Sequence, residues 1–80
     1  MKCVYILQSL GRPSEHYVGL THDLEERLAA HNSGKCSHTS KYPPWKVSVA
    51  TYFDNDEKAA EFERYLKSGS GRAFAARHFR

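Results

Sequence analysis

Five side chains in this sequence have the chemistry needed to act on a charged substrate: Tyr5, Tyr17, Arg27, His31 and Glu63. A tyrosine hydroxyl held beside a cation loses its proton more readily than the free group, whose pKa is about 10. An arginine offers a permanent positive charge, a histidine can carry a proton, and a carboxylate can hold a cation. Brought together on one face of a sheet, they could activate a nucleophile and neutralise an anion.

Each of the first four residues also has an ordinary structural explanation. Two tyrosines on neighbouring strands can simply pack in a core beside a helix. Arg27 can lay its stem over apolar surface with its guanidinium in water, and His31 can be a cation at the end of a helix. Convergence of all five side chains is what favours the functional interpretation.

Glu63 stands out because its neighbours on one helix face are apolar. Helical spacing places it on a stripe with three such residues, Ala59, Phe62 and Leu66. A carboxylate within that stripe would cost several kcal/mol unless a cation or a metal ion paired with it. The alternative is a position at the edge of the stripe, where Glu63 reaches solvent or a structural arginine.

The hydrophobic pattern predicts an α/β (α+β) fold in the order β-β-α-β-α-α. The predicted strands are residues 2–8, 16–20 and 45–53, with the last alternating so that Trp45, Val47, Val49, Thr51 and Phe53 share one face. The first helix is capped by Thr21 or Asp23 and ends at Gly34. The second begins at residues 54–57, with Asp54 and Glu57 at capping-box spacing, and runs to about Lys67. Residues 68–71 break it before a last helix at 72–79.

The two hairpin strands and a right-handed crossover through the first helix place strand one in the centre of a three-stranded antiparallel sheet flanked by helices. Tyr5 and Tyr17 then lie on adjacent strands. Gly19 near the end of the second strand indicates a bulge or a close approach to the backbone. Residues 1–80 are expected to form a single domain.

The charge pattern indicates an anionic partner. The chain carries a net charge of +3, and its nine acidic residues all lie within residues 15–26 and 54–63. Acid-free segments rich in Lys, Arg, Ser and Gly attract phosphate backbones. An ordinary solvated surface explains the same pattern. The candidate nucleic-acid contacts in these segments are Lys35, Lys41, Lys46, Lys67 and Arg72.

The apolar runs, the first residues and the cysteines indicate in which cellular compartment the protein is expected. No apolar run is long enough to span a membrane, and the first residues lack the layout of a signal peptide. Two cysteines, Cys3 and Cys36, are too few for the disulfide framework of a small secreted domain, so we expect reduced thiols and a cytoplasmic protein.

In their order along the chain, these residues resemble the GIY-YIG nuclease superfamily, and specifically its small single-domain bacterial branch. Its first signature corresponds to Val4-Tyr5-Ile6 and its second to Tyr17-Val18-Gly19. Arg27 falls at the family's helix arginine, with His31 one turn later. Residues 60–67 resemble the segment that bears the metal-binding glutamate, which would be Glu63. The similarity covers nearly the whole chain.

The resemblance implies a three-stranded antiparallel sheet flanked by helices and a nuclease that cleaves phosphodiester bonds with one divalent cation. Glu63 would hold Mg²⁺ or Mn²⁺, with water and phosphate oxygens as the other ligands. Tyr5 or Tyr17, as phenolate, would deprotonate the attacking water. Arg27 would neutralise charge on the phosphoryl oxygens, and His31 would act as a proton carrier or phosphate contact.

Three functions therefore compete at this point. The first is a metal-dependent endonuclease acting on DNA, in repair or recombination. The second is a catalytically weak or inactive nucleic-acid-binding domain of the same fold. The third is a protein interaction module, for which nucleic-acid binding would be weak and nearly independent of salt.

Overall fold

The computed structural model describes all 80 residues and has the predicted element order. The elements are β1 (Lys2–Ser9), β2 (His16–Thr21), α1 (Leu24–Asn32), β3 (Trp45–Phe53), α2 (Asp56–Lys67) and α3 (Gly69–His78). One turn of 3₁₀ helix, Ser37–Thr39, lies between α1 and β3. No helix has both the length and the apolar character needed to cross a membrane.

The three strands form one antiparallel sheet in the order β2-β1-β3, which confirms the α+β fold and the central position of β1. Five consecutive residues of β1, Cys3 to Leu7, are buried because the sheet is covered on both faces. Val4 and Ile6 pack with Ala59 and Leu66 of α2. On the other face, the odd-numbered residues of β1 pack with the apolar side of α1. The sheet therefore has an α2–α3 face and an α1 face.

The prediction that alternate residues of β3 all share one face is wrong. The register of β1 with β3 shifts between Ile6, which pairs with Val49, and Leu7, which pairs with Val47. An extra residue on one strand at such a bulge moves the following side chains to the opposite face. Val49 and Phe53 thus pack on the α2–α3 face, and Trp45 and Val47 on the α1 face.

The ends of α1 follow the sequence signals. Of the two predicted caps, Asp23 is the one used, and its Oδ1 accepts a hydrogen bond from the Glu26 backbone N–H at 3.1 Å. Gly34 follows the last turn with a φ of 82°, a left-handed conformation that glycine adopts without strain. The Lys35 N–H then closes the turn by donating to the carbonyl of Ala30.

The starts of α2 and α3 differ from prediction. Asn55 rather than Asp54 caps α2, because its side-chain oxygen accepts from the Lys58 N–H at 3.0 Å. Helix α2 ends at Lys67 as predicted, but α3 begins at Gly69, within the segment 68–71 that was expected to separate the two helices. There the Ser68 hydroxyl oxygen accepts from the Gly71 N–H at 3.1 Å. Ser68 thus closes α2 and caps α3, so the two helices meet without a loop.

Gly71 allows α3 to lie directly on the end of α2. It is buried, and a Cβ atom there would overlap the Tyr65 carbonyl and the Leu66 Cα. We expect Gly71→Ala to lower the free energy of unfolding by about 1–3 kcal/mol, as overpacking does. Gly69→Ala is the matched control, since a Cβ there meets nothing within 4 Å. Urea unfolding of both variants tests this, and equal stability would contradict it.

Candidate active site

Two tyrosines and a histidine meet on the α1 face of the sheet. The Tyr5 hydroxyl and His31 Nε2 are hydrogen-bonded at 2.9 Å. The ring centroid of Tyr17 lies 4.9 Å from that of His31 and 6.4 Å from that of Tyr5. The residues come from β1, β2 and α1, so the sheet register and the docking of α1 bring them together. This part of the predicted convergence is present in the structure.

Gly19 makes room for the ring of Tyr5. The two residues pair across β1 and β2, and a Cβ on Gly19 would overlap the Tyr5 hydroxyl and the adjoining ring carbons. Tyr5 therefore lies over the backbone of the neighbouring strand at Gly19. This contact directs its hydroxyl across β2 toward His31.

His31 is fixed by hydrogen bonds at both ring nitrogens. Its Nδ1 lies 2.7 Å from the Thr39 hydroxyl, which donates in turn to the Cys36 carbonyl at 3.3 Å. With that hydroxyl proton committed, Nδ1–H donates to Thr39, and Nε2 accepts from Tyr5. His31 and Thr39 are both completely buried. His31 therefore has no direct access to solvent.

The surroundings favour the neutral forms of Tyr5 and His31. Burial raises the pKa of Tyr5 well above its ordinary value, the nearby Tyr17 adds to the rise, and the charge of Arg27 opposes it. Burial also lowers the pKa of His31, helped by the charges of Arg27 and His38. The lowered pKa keeps the imidazole uncharged near neutral pH, unlike a cation at the end of a helix.

Arg27 lies one turn before His31 with its guanidinium exposed. Its charge acts on both Tyr5 and His31, and its spacing of four residues puts it on the same side of α1 as His31. It has no ion-pair partner, because the two ion pairs of the chain join other residues. An arginine left without a carboxylate beside a tyrosine cluster is available to an anion.

Asn32 anchors the loop that supplies Thr39. Its side-chain oxygen accepts from the Trp45 N–H at 2.6 Å, and its amide donates to the Trp45 carbonyl at 3.1 Å. The Trp45 indole N–H donates to the Thr39 carbonyl at 2.8 Å. Neither Thr39 nor Asn32 is among the predicted site residues, because neither falls on a periodic apolar pattern. Asn32 directly follows His31 in the sequence.

Glu63 lies on α2, on the other face of the sheet from α1. Its side chain is 17% exposed, and its Oε2 is 2.5 Å from Lys67 Nζ. The carboxylate thus has a cation partner one turn away on its own helix. The two faces of the sheet meet at β2, which is an edge strand. Tyr17 and Lys67 line one cleft there.

The predicted nucleic-acid contacts fall in different places. Lys67 and Arg72 line the cleft beside Tyr17. Lys35 lies at the end of α1 in a second cleft that also contains Glu26. Lys41 is exposed in the loop before β3, and Lys46 is exposed on β3, at the opposite edge of the sheet from β2. Only Lys67 and Arg72 therefore adjoin the tyrosine cluster.

The donor set suits a hydrated divalent cation. No three His, Cys, Asp or Glu side chains converge anywhere in the chain, so Glu63 would be the principal protein ligand. Mg²⁺ and similar hard cations accept one carboxylate and retain several waters or bind phosphate oxygens. A partly buried carboxylate beside an exposed lysine fits such an ion, because the flexible Lys67 can move away.

Comparison with known proteins assigns the family. The family described as the GIY-YIG catalytic domain matches residues 1–75. The chain belongs to the GIY-YIG family. Its two signatures face each other in the sheet, since Tyr5 of the first lies over Gly19 of the second. The resemblance inferred from the sequence is confirmed, and with it membership of a nuclease family.

Several known proteins are similar in sequence to this GIY-YIG chain. A UPF0213 protein of Lactococcus lactis subsp. cremoris is 41% identical over 64 residues, covering 79% of this chain and 63% of that protein. A UPF0213 protein of Clostridium perfringens is 35% identical over 68 residues, covering 84% of this chain and 71% of that protein. The structure-specific endonuclease subunit SLX1 of Scheffersomyces stipitis is 36% identical over 75% of this chain and 20% of its own length. The chain thus spans just under two thirds of the Lactococcus protein.

The contact between the two GIY-YIG signatures can be tested at Gly19. Alanine usually stabilises a strand relative to glycine by about 0.5–1 kcal/mol. We expect Gly19→Ala instead to destabilise the chain by about 1–3 kcal/mol, because the new methyl displaces Tyr5. In a Tyr5→Leu background the penalty should shrink, since the clashing ring atoms are gone. Gly11→Ala, which meets nothing within 4 Å, is the control. An equal penalty in both backgrounds would rule out this contact.

Burial of neutral His31 makes stability depend on pH. The folded state holds the pKa of His31 below the unfolded value of about 6.5, so the unfolded chain binds more protons as the pH falls. Stability should therefore be lost as the pH falls below about 6.5. The pKa of His16 is lowered as well, so urea unfolding at pH 5–8 should compare wild type, His31→Gln and His16→Gln. If the free energy of unfolding of His31→Gln depended on pH as steeply as that of wild type, His31 would not be the source of the pH dependence.

Proposed function

We propose that this chain is a divalent-metal-dependent endonuclease that hydrolyses phosphodiester bonds in DNA, in repair or recombination. The observation that carries the proposal is the packed group of Tyr5, Tyr17 and His31 beside the unpaired Arg27. Membership of the GIY-YIG family supports nuclease chemistry. The similarity to a structure-specific endonuclease subunit supports a nucleic acid as the substrate.

Tyr17 is the better of the two candidate bases. Tyr5 is 1% exposed, and its raised pKa favours the protonated hydroxyl. Tyr17 is only half-buried and reaches a cleft that is open to solvent. As phenolate, Tyr17 takes a proton from water while the water oxygen bonds to phosphorus. The bond from phosphorus to the leaving sugar oxygen breaks, and that oxygen takes a proton from bulk water, while Tyr17 later returns its proton to solvent.

Tyr5 and His31 position the reacting groups. The hydrogen bond to His31 holds the Tyr5 hydroxyl in one orientation beside the ring of Tyr17. The buried Thr39 sets which nitrogen of His31 carries the proton. Arg27 stabilises negative charge on the phosphoryl oxygens with its free guanidinium. Preorganised groups of this kind act without rearrangement during the reaction.

Glu63 would hold Mg²⁺ or Mn²⁺. The ion would supply Lewis-acid stabilisation of the phosphate and of the leaving oxygen. The ion would compete with Lys67 for the Glu63 carboxylate. Lys67 is exposed, so it can turn to a phosphate oxygen instead.

The second candidate function is a nucleic-acid-binding domain with weak or no catalysis. The position of Glu63 favours it: the carboxylate is already paired with Lys67 and lies on the opposite face of the sheet from the helix of Arg27. A chain of this kind would retain the basic cleft at β2. It would bind DNA in a salt-dependent way without cutting it.

The proposal includes the setting in which the chain works. Residues 1–80 act as a single catalytic domain, and DNA with branches, nicks or damage is the expected substrate. A cytoplasmic location agrees with the two cysteines, which are both free. The oligomeric state does not enter the mechanism, because all the proposed site residues come from one chain.

Cleavage assays decide between the candidates. Branched, nicked and linear DNA are incubated with Mg²⁺, Mn²⁺ or a chelator, using wild type and the variants Glu63→Gln and Arg27→Ala. We expect metal-dependent cutting that falls by about 10²–10³ in each variant, the usual loss when one stabilising group is removed. Glu61→Gln and Arg64→Ala are matched controls on exposed positions of α2 and should cut normally.

Two results would overturn this proposal. Metal-dependent cutting that survives both substitutions would show that the reacting groups lie elsewhere. Salt-dependent binding without cutting in any metal would instead support the binding domain. Circular dichroism of each variant establishes that it is folded.

A further inference from the structure

A basic cleft lies at the β2 edge, between that strand and the junction of α2 with α3. Its volume is about 340 Å³, within the range of about 300–1,000 Å³ typical of ligand sites. Three cationic side chains line it: Lys67, Arg72 and Arg80. His16 and Tyr17 of β2 complete the polar part, and Val18 and Leu66 the apolar part.

The charge of this cleft is only partly balanced by the protein. None of its lining residues is acidic, and of its three cations only Lys67 has an ion-pair partner, which is Glu63. Arg72 and Arg80 have no ion-pair partner. Two free guanidinium groups in one concave surface favour an anion that can accept forked hydrogen bonds, and phosphate matches that geometry.

The position of Arg72 strengthens this argument. It lies in the first turn of α3, directly after the capped start of the helix. The positive end of the helix dipole adds to the side-chain charge at this point. The contact between Gly71 and the end of α2 brings this turn close to Lys67. Packing of α3 on α2 is therefore what assembles the cationic wall.

We propose that this cleft binds a phosphate group of the nucleic-acid strand on the far side of Tyr17 from Arg27. The proposal rests on the nuclease function proposed above and adds a second anion site to it. Tyr17 connects the two sites, because it lines the cleft and packs against His31. The phosphate is either an internal phosphodiester next to the attacked bond or a terminal phosphate at a strand end.

Binding measured without metal tests the cleft independently of cleavage. The full chain is titrated against fluorescent DNA over a series of salt concentrations, comparing wild type, Arg72→Gln and Arg77→Gln. Arg77 is the matched control, since it is an exposed arginine on the same helix that does not line the cleft. We expect Arg72→Gln to raise Kd about five- to tenfold and to reduce the salt slope by about one. Arg77→Gln should change Kd less than about twofold.

The choice of DNA distinguishes the two sources of phosphate. The same titrations use a duplex with 5′-phosphates, the same duplex with 5′-hydroxyls, and a hairpin-closed DNA without ends. Weaker binding of Arg72→Gln to all three assigns the cleft to an internal phosphodiester. Weakening confined to the phosphorylated duplex assigns it to a terminal phosphate. Equal effects of Arg72→Gln and Arg77→Gln on every DNA would overturn the proposal.

The two proposals fail in different ways. If Arg72→Gln weakens binding but wild type cuts no DNA, the phosphate site is supported and the nuclease function is contradicted. If wild type cuts DNA and Arg72→Gln binds as well as Arg77→Gln, the nuclease function is supported and the phosphate site is contradicted. Amide NMR shifts on adding the DNA locate the contact, with His16 to Val18 and Lys67 to Arg72 expected to move most.

Discussion

The close contact between Tyr5 and the backbone at Gly19 is the constraint on which the candidate site depends. It holds the ring across the neighbouring strand and delivers the hydroxyl to His31. His31 then needs a partner for its other nitrogen in a buried place, where an unmade hydrogen bond costs about 1–3 kcal/mol. Thr39 supplies that partner, and no buried side-chain polar atom of the chain is left without one.

The position of Thr39 depends on the loop before β3. Thr39 must lie beside His31 of α1, but the loop that contains it has only one turn of 3₁₀ helix to hold it there. The amide of Asn32 pairs with both backbone groups of Trp45, as a neighbouring strand would, and Trp45 holds Thr39. A polar group buried in a very small core is thus stabilised by side-chain hydrogen bonds to the backbone of β3 and of the loop before it.

The sequence was sufficient for the fold because its strongest signals are local. The apolar run of β1, the cap at Asp23 and the left-handed turn at Gly34 each depend on a few adjacent residues, and all three are present. The α3 start was missed because the glycine pair around Ser70 is typical of a break. Gly71 is there for close helix contact, which no local pattern shows. Similarly, the β3 bulge depends on pairing with β1.

The site was predictable only in part. Arg27, His31 and Glu63 are predictable site residues because each is a polar group near an apolar helix face, where such groups are uncommon. The pairing of Glu63 with Lys67 and its separation from α1 depend on which face each helix covers, and periodicity does not specify this. The raised pKa of Tyr5 likewise results from tertiary burial.

The register shift in β3 has a consequence for how this chain can vary. One short strand contributes to two separate cores, Phe53 and Val49 to one and Val47 and Trp45 to the other. A substitution at Ser48 changes one exposed side chain, whereas a deletion there would move the preceding residues of β3 to the opposite face of the sheet. Trp45 would then lose its hydrogen bond to the Thr39 carbonyl. The length of this strand is therefore constrained more tightly than its composition.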